Sequence, residues 1–117
     1  MLTLHDQLKV YAYVPPTDMR KGINGLSGLV REQLDFDPTD GSLFLFLNRS
    51  RDRMKLLHFA DGGFWLYYRV LEAGTFEQLT ASDDGRHLQL DATELSMLLS
   101  GISLVQARKR RKRYTAA

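Results

Sequence analysis

The segment PPTDMRKG at residues 15–22 constrains the fold of this chain most, because it packs two prolines, three charges and a glycine together. The preceding residues 9–14 are rich in β-branched and aromatic side chains, which predicts a strand. Pro15 and Pro16 end that strand, since proline lacks the N–H that a sheet needs and keeps the residue before it extended. Thr17 or Asp18 is suited to cap a helix, so we expect a helix over residues 17–34.

Two patterns describe this predicted helix. Its apolar residues follow helical spacing and form one stripe, which consists of Leu26, Leu29, Val30 and Leu34. Gly22, Gly25 and Gly28 recur at every third position, although each costs up to ~1 kcal/mol of helix propensity relative to alanine. We therefore expect a close approach to the helix backbone along these glycines, by the sheet as the simplest interpretation or else by another group.

The centre of the chain predicts an antiparallel meander. Residues 43–47, 54–59 and 64–71 each have the composition of a strand, and their connections are short. Residues 76–79 suggest a further short strand, and the alternation at residues 87–90 predicts an edge strand. Asp91 or Thr93 is suited to cap a second helix, whose apolar face is formed by Leu95, Leu98, Leu99 and Ile102.

These elements predict an α+β fold, in which an antiparallel sheet of about four or five strands carries one main helix and a short C-terminal helix. The strand order is left open, including whether residues 9–14 make the sheet mixed. The chain length of 117 residues fits a single domain, which we place at residues 1–106, followed by a basic tail at 107–117 that we expect to be disordered.

The charge of the chain is concentrated in that tail. The net charge is +2, but six of the 16 basic residues lie at positions 108–113, and the remaining 10 basic and 14 acidic residues give −4. There is no cysteine, and the sequence shows no signal peptide and no apolar run of the ~18 residues that span a bilayer. We expect a cytoplasmic protein.

Two cationic segments are candidates for contact with DNA phosphates. Four cations at every second position would share one face if the hairpin strand ran through them; they are Arg49, Arg51, Arg53 and Lys55. The cations of the tail would gain affinity for nucleic acid by releasing counterions from the phosphates. They are Arg108, Lys109, Arg110, Arg111, Lys112 and Arg113. The alternatives are a solvated hairpin tip and a solubility tail.

The sequence shows no pattern for metal or cofactor chemistry. The carboxylates that a two-metal site would need are Asp61, Asp83, Asp84 and Asp91, which all lie in predicted turns or caps. The three histidines have no ligand spacing. The aromatic residues at positions 64, 65, 67 and 68 can stack on bases, but we expect them mainly in the core and in cross-strand pairs.

An ordered series of motifs resembles a known family. The motifs are PTDMRKG at residues 16–22, GL at 25–26, LFLFLNR at 43–49, DRMKLL at 52–57, GFWLYYRVLE at 63–72 and LSMLLSGI at 95–102. Over residues 8–103 the chain is similar to the TnpB-type accessory protein of the insertion-sequence sixty-six family. The resemblance implies a protein encoded by a bacterial mobile element beside a separate, larger transposase that carries the catalytic acids. It implies no catalytic residues in this chain.

Our main hypothesis is a non-catalytic accessory protein for transposition that binds DNA, with the transposase as a second partner. Arg20 and Lys21 join the DNA contact if the prolines turn their loop toward the hairpin cations. A helix cap needs only one of Thr17 and Asp18, so capping does not explain why Asp18, Arg20 and Lys21 all occur here. The alternative is an adaptor that binds the transposase without touching DNA, and a small metal-dependent nuclease is the weakest hypothesis. Residues 87–90 also offer an edge through which a second copy can pair.

Overall fold

A computed structural model describes residues 4–101, 103 and 104. Their five strands and two helices follow the order β1 (Val10–Tyr13), α1 (Ile23–Gln33), β2 (Leu43–Leu47), β3 (Arg53–Ala60), β4 (Gly63–Val70), β5 (His87–Leu90) and α2 (Ala92–Leu99). The predicted strands at residues 9–14, 43–47, 54–59, 64–71 and 87–90 are confirmed within one or two residues at each end.

The strands form one mixed sheet in the order β4-β3-β2-β1-β5. β2, β3 and β4 are antiparallel neighbours, which confirms the meander, and β5 pairs antiparallel with β1. β1 and β2 are parallel, with Val10 opposite Leu43 and Tyr13 opposite Phe46. A parallel pair needs a crossover connection, and α1 supplies it. The α+β prediction is therefore confirmed, and the strand order makes the sheet mixed.

Each face of the sheet carries its own apolar cluster, because strand side chains alternate between faces. On one face Leu26 and Val30 of α1 and its C-cap residue Leu34 pack with Phe44, Phe46 and Leu57. On the other face α2 contributes Leu95 and Leu98, which pack with residues that include Val10, Leu43, Leu45, Met54 and Leu56. β2 is buried at every position since it serves both clusters.

The start of the first helix was predicted wrongly. α1 begins at Ile23, its N-cap is Gly22, and no side chain caps it. Thr17 instead is buried beside the sheet, and its N–H donates to Leu47 O at 2.8 Å. The backbone of this segment thus hydrogen-bonds to β2 and β3, through Leu47 O and the Lys55 ammonium. These bonds take the place of the helical turn that the capping residues predicted.

The expected close approach of the sheet to the glycines is also wrong. A Cβ atom at Gly22 or Gly28 would have no heavy atom within 4 Å, and one at Gly25 would meet only the side chain of Lys21. The sheet packs against the other side of α1, where Leu26, Ser27 and Val30 are buried. The fold therefore leaves room for a side chain at Gly22 and Gly28, whereas a Cβ at Gly25 would lie 3.2 Å from the Cβ of Lys21.

Two further expectations concern the C-terminal half. Residues 76–79 form no strand, and Phe76 and Leu79 are buried in the α2-side cluster as part of an irregular segment. Asp91 is the N-cap of α2, and it accepts from Glu94 N at 2.7 Å while the Glu94 side chain accepts from Asp91 N–H. Ile102 lies outside the described residues.

Candidate nucleic-acid interface

One end of the sheet gathers most of the predicted site residues. The carboxyl ends of the parallel strands β1 and β2 lie there, and β3 and β5, which run the opposite way, begin there. Three connections therefore meet at this end, at residues 14–22, 48–52 and 82–86. We call it the cationic end and define it by Arg20, Lys21, Arg49, Arg51 and Arg53.

Lys55 fastens the proline-containing loop to this end. Its Nζ donates to Met19 O at 2.7 Å and to Lys21 O at 2.8 Å, and it lies 4.9 Å from the centre of the Tyr68 ring. The residue is only 7% exposed. A buried ammonium needs hydrogen bonds and a compensating partner, and two carbonyls and an aromatic face provide them. The loop thus lies beside the hairpin cations, as the hypothesis about Arg20 and Lys21 required.

Asp18 and Arg20 pair with each other inside the same loop. The Asp18 carboxylate accepts from Arg20 Nη2 at 2.7 Å, from Arg20 Nε at 3.0 and 3.1 Å, and from the Arg20 backbone N–H at 2.9 Å. The Arg20 side chain, followed by its backbone N–H, lowers the pKa of Asp18 to about 2. Both residues thus have a local partner that the sequence did not indicate, while the Arg20 side chain stays 91% exposed.

A compact turn presents Arg49. Asn48 Oδ1 accepts from the backbone N–H groups of Asp52 at 3.1 Å and Arg53 at 3.0 Å, and its amide nitrogen donates to the Asp52 carboxylate at 2.7 Å. Arg51 adopts a left-handed conformation with φ 56°. Asn48 therefore closes the turn from inside, and Arg49 is exposed at its tip.

The four hairpin cations do not share one strand face, because β3 begins only at Arg53. Arg51 is half-buried and Arg53 is exposed; Arg51 Nη1 donates to Phe76 O at 3.4 Å, and Arg53 Nη1 donates to the Tyr68 hydroxyl at 3.1 Å. Lys55 follows Arg53 on the same face but turns its ammonium to the loop. Within the described residues, Arg49 has neither a hydrogen-bond nor an ion-pair partner.

Beside these cations the structure contains a groove of about 450 Å³. Prolines and aliphatic side chains line one part of it, and polar side chains line the rest; among the lining residues are Pro15, Pro16, Asn48, Arg49, Arg51 and Leu79. The groove joins the first and second connections of the cationic end. The sequence joined these connections only on the condition that the prolines turn their loop toward the hairpin, since nothing in their spacing shows that β1 and β2 are parallel neighbours.

Arg86 is a cation at this end that the sequence did not indicate. Its guanidinium donates to Gln33 O at 3.1 Å, near the C-terminus of α1, where positive charge is favourable. The neighbouring Asp84 accepts from the backbone N–H groups of Arg86 and His87, and these bonds, that of Arg86 first, lower the pKa of Asp84 to about 2. Arg86 therefore has a structural contact that competes with an external one.

The candidate carboxylates lie in turns and at a helix cap, as predicted, with Asp61, Asp83 and Asp84 in turns. Asp61 occupies a turn with φ 54°, Asp84 binds two backbone N–H groups, and Asp91 caps α2. In residues 4–101, 103 and 104, no three acidic, histidine or cysteine side chains come together as a metal site would need. The tail cations at positions 108–113 lie outside the described residues.

Comparison with known proteins identifies the family. A family model described as IS66 Orf2-like protein matches residues 8–109. The chain belongs to the IS66 Orf2-like family. The resemblance noted from the motifs is thereby confirmed, and membership associates the chain with the transposition of an insertion sequence as an accessory protein.

Two relatives come from Sinorhizobium fredii. The uncharacterized protein y4hO is 34% identical over 87% of this chain and 87% of its own length, and the uncharacterized protein y4jC is 29% identical over 88% and 86%. No solved structure matches significantly. Among the described residues of this family member, no helix is both long enough and apolar enough to cross a membrane.

Proposed function

We propose that this accessory protein binds the DNA of its mobile element through phosphate contacts at the cationic end. The observation that carries the proposal is the fastening of the loop by Lys55, which holds Arg20 and Lys21 at the same end as Arg49, Arg51 and Arg53. Phosphate contacts commonly come from arginine, lysine and backbone N–H groups, and they position a protein without reading sequence.

The availability of the cations supports this function. Arg49 and Lys21 are exposed, and neither side chain has a hydrogen-bond or ion-pair partner in the described part of the chain. The N-terminus of α1 lies at the same end, has no side-chain cap and has no acidic residue in its first turn. A helix N-terminus favours negative charge, so it adds to the attraction that the side chains exert on a phosphate backbone.

Lys55 is not part of the proposed interface. Turning its ammonium outward would leave two carbonyls without their donor and would release the loop that carries Arg20 and Lys21. Lys55 therefore acts through the position of the loop, and the phosphate contacts come from Arg49 and Lys21 first, then from Arg53, Arg51 and Arg20, whose guanidinium groups already have partners.

The test measures binding of the full-length protein to a duplex that contains an end of the element, across a series of salt concentrations. Each phosphate contact contributes about 0.9 to the slope of log affinity against log salt. Arg49→Glu should weaken binding and reduce that slope by about one. Lys9→Glu is the matched control, because it makes the same charge change at the exposed opposite end of the sheet.

Two results would contradict the proposal. The first is no binding by the wild-type protein even at low salt. The second is an equal loss of affinity in Arg49→Glu and Lys9→Glu, which would mean that only the net charge matters and not the cationic end.

The transposase of the same element is the second proposed partner. Deleting residues 107–117 separates the two roles, since the tail adds sequence-independent affinity for DNA. If the truncated protein remains folded but no longer supports transposition, DNA contact is the working role. If transposition and co-purification with the transposase are both unchanged, the adaptor hypothesis is favoured.

A further inference from the structure

The two edges of the sheet differ in length and protection. β4 has eight residues and forms one edge, whereas β5 has four and forms the other. β5 is bordered by Asp84 and Asp91, and charges near an edge discourage pairing with another chain. β4 contains no proline and only one charged residue, Arg69. The longer edge is thus the less protected one.

The register of the hairpin shows which backbone groups of β4 have no partner in the part of the chain that the structure describes. Leu71 N–H donates to Asp52 O at 2.8 Å, and this pair continues the register of β3 and β4. Hydrogen-bonded pairs alternate along an antiparallel ladder, so the odd-numbered residues of β4 bond to β3. The even-numbered residues direct their N–H and C=O groups away from the sheet; they are Phe64, Leu66, Tyr68 and Val70.

The side chains of this edge are also unusually apolar for a surface. Trp65, Tyr68 and Val70 are 47%, 48% and 50% exposed. With Ile23 at 37%, they are the exposed large hydrophobic residues of the described chain. Three of these four side chains thus belong to one edge strand, which combines free backbone groups with apolar surface.

We propose that β4 pairs antiparallel with β4 of a second copy of this chain across a two-fold axis. The inference does not depend on the proposed DNA contact. Hydrogen-bonded pairs between the copies must join even-numbered residues. Only every second register, in which even-numbered residues face even-numbered residues, is therefore allowed. The setting that satisfies the exposed side chains places Tyr67 opposite its own counterpart on the axis.

This register makes the strand complementary to itself. The remaining opposed pairs are Trp65 with Arg69, Leu66 with Tyr68 and Phe64 with Val70 of the second copy. Tyr68 and Val70 gain apolar or aromatic partners, and the indole of Trp65 meets Arg69, the single cation of the strand. The two neighbouring settings fit less well. Centring Leu66 on the axis places Val70 opposite Gly62, a turn residue that offers no side chain, and centring Tyr68 places Phe64 opposite Glu72, which lies beyond the end of the strand.

The pairing joins two five-stranded sheets into one continuous sheet. Because the paired strands are antiparallel, the cationic ends of the two copies lie at opposite ends of the joined sheet. A second copy is thus favoured over a foreign strand because the edge meets its own sequence without opposing like charges.

The absence of cysteine makes cross-linking a direct test of the register. Trp65→Cys and Arg69→Cys change exposed positions, and in the proposed dimer their Cα atoms lie about 4.5 Å apart, within disulfide reach. An oxidised mixture of the two full-length variants should give a disulfide-linked dimer. Each variant alone should not, because its two cysteines lie about 13 Å apart.

Sedimentation of the uncross-linked protein tests the dimer itself. The wild-type chain should sediment as a dimer, and Val70→Lys should raise the dimer dissociation constant at least about tenfold, since a lysine in an edge opposes pairing. Gln89→Lys on β5 is the matched control and should leave it unchanged, with circular dichroism to confirm that both variants fold.

Three outcomes would overturn the proposal. If the wild-type protein is a monomer at high concentration, the dimer is excluded. Co-purification with a different protein would not restore the proposal. Dissociation by Gln89→Lys but not by Val70→Lys assigns the interface to β5. Cross-linking of Trp65→Cys alone excludes the register.

Discussion

Lys55 and Arg49 lie close together on the same hairpin, yet the fold uses them in opposite ways. Lys55 is 7% exposed and its ammonium donates to two loop carbonyls, whereas Arg49 is exposed at the tip of a turn that Asn48 closes. Both belong to the segment that the family model matches. The difference teaches that the family's recognisable residues are of two kinds, those that the fold requires and those that it leaves available for a partner.

The largest expected effect is on stability, from removing the Lys55 ammonium. Lys55→Met keeps most of the aliphatic stem but removes two charge-assisted hydrogen bonds and the cation–π contact with Tyr68. We expect a loss of about 2–4 kcal/mol in the free energy of unfolding. Urea denaturation measures it.

Arg49→Met is the matched variant, since it makes the same change in charge at the exposed tip. Its stability should stay within about 0.5 kcal/mol of the wild type, while its affinity for DNA falls. Equal destabilisation by the two substitutions would remove the distinction on which the comparison rests.

Gly28, which lies outside the recognised motifs, is another residue that the fold leaves open, and it offers a test that changes no charge. A Cβ at this position meets no atom within 4 Å, and alanine is the better helix former, so Gly28→Ala should stabilise the chain by about 0.5–1 kcal/mol. A thermal melt should show a rise of a few degrees. Destabilisation would contradict the open surroundings of this residue, and lower transposition by a stabilised variant would show that a partner approaches α1 there.

The fold was largely readable from the sequence because local signals agreed with it. Alternating and continuous apolar runs marked the five strands, and Asp91 marked the second helix. The start of α1 was misread because Thr17 and Asp18 have the chemistry of caps, while the contacts that hold this segment outside the helix come from residues distant in sequence. Leu47 O accepts from Thr17 N–H, and Lys55 donates to the carbonyls of Met19 and Lys21. Tertiary contacts of that kind leave no local pattern.

The candidate site was predictable in composition but not in geometry. The sequence identified Arg20 and Lys21 as cations that a helix cap does not explain, and Arg49 as one of four hairpin cations suited to phosphate. It could not show that Asp18 pairs with Arg20 or that Lys55 points inward, since charge and spacing are the same for a buried lysine and an exposed one. Burial depends on where the loop closes, and the parallel pairing of β1 and β2 determines that.

The smallest expected effects come from substituting Asp18. This residue belongs neither to those that the fold requires nor to those left available for a partner, because it pairs with an interface cation, Arg20. Its pKa falls from an ordinary 3.8 to about 2, chiefly through the Arg20 side chain and then the Arg20 backbone N–H. A lowered pKa in the folded state means that the ionised carboxylate stabilises the fold. This contribution is fully present above about pH 4, and it is lost as the pH falls toward 2. The stability difference between wild type and Asp18→Asn should therefore shrink across that window, as measured by urea denaturation at successive pH values.

The same substitution should act on DNA binding in the opposite sense. Asp18→Asn removes the anion that occupies the Arg20 guanidinium, so the variant should bind DNA more tightly and with a steeper salt dependence than the wild type. Asp61→Asn is the matched control, because Asp61 lies in the turn at the opposite end of the sheet and asparagine tolerates its positive φ. An equal gain in both variants would indicate a general charge effect. A gain confined to Asp18→Asn would identify Arg20 as a cation that contacts phosphate despite its internal partner, and the pair would then regulate affinity at the cost of little stability.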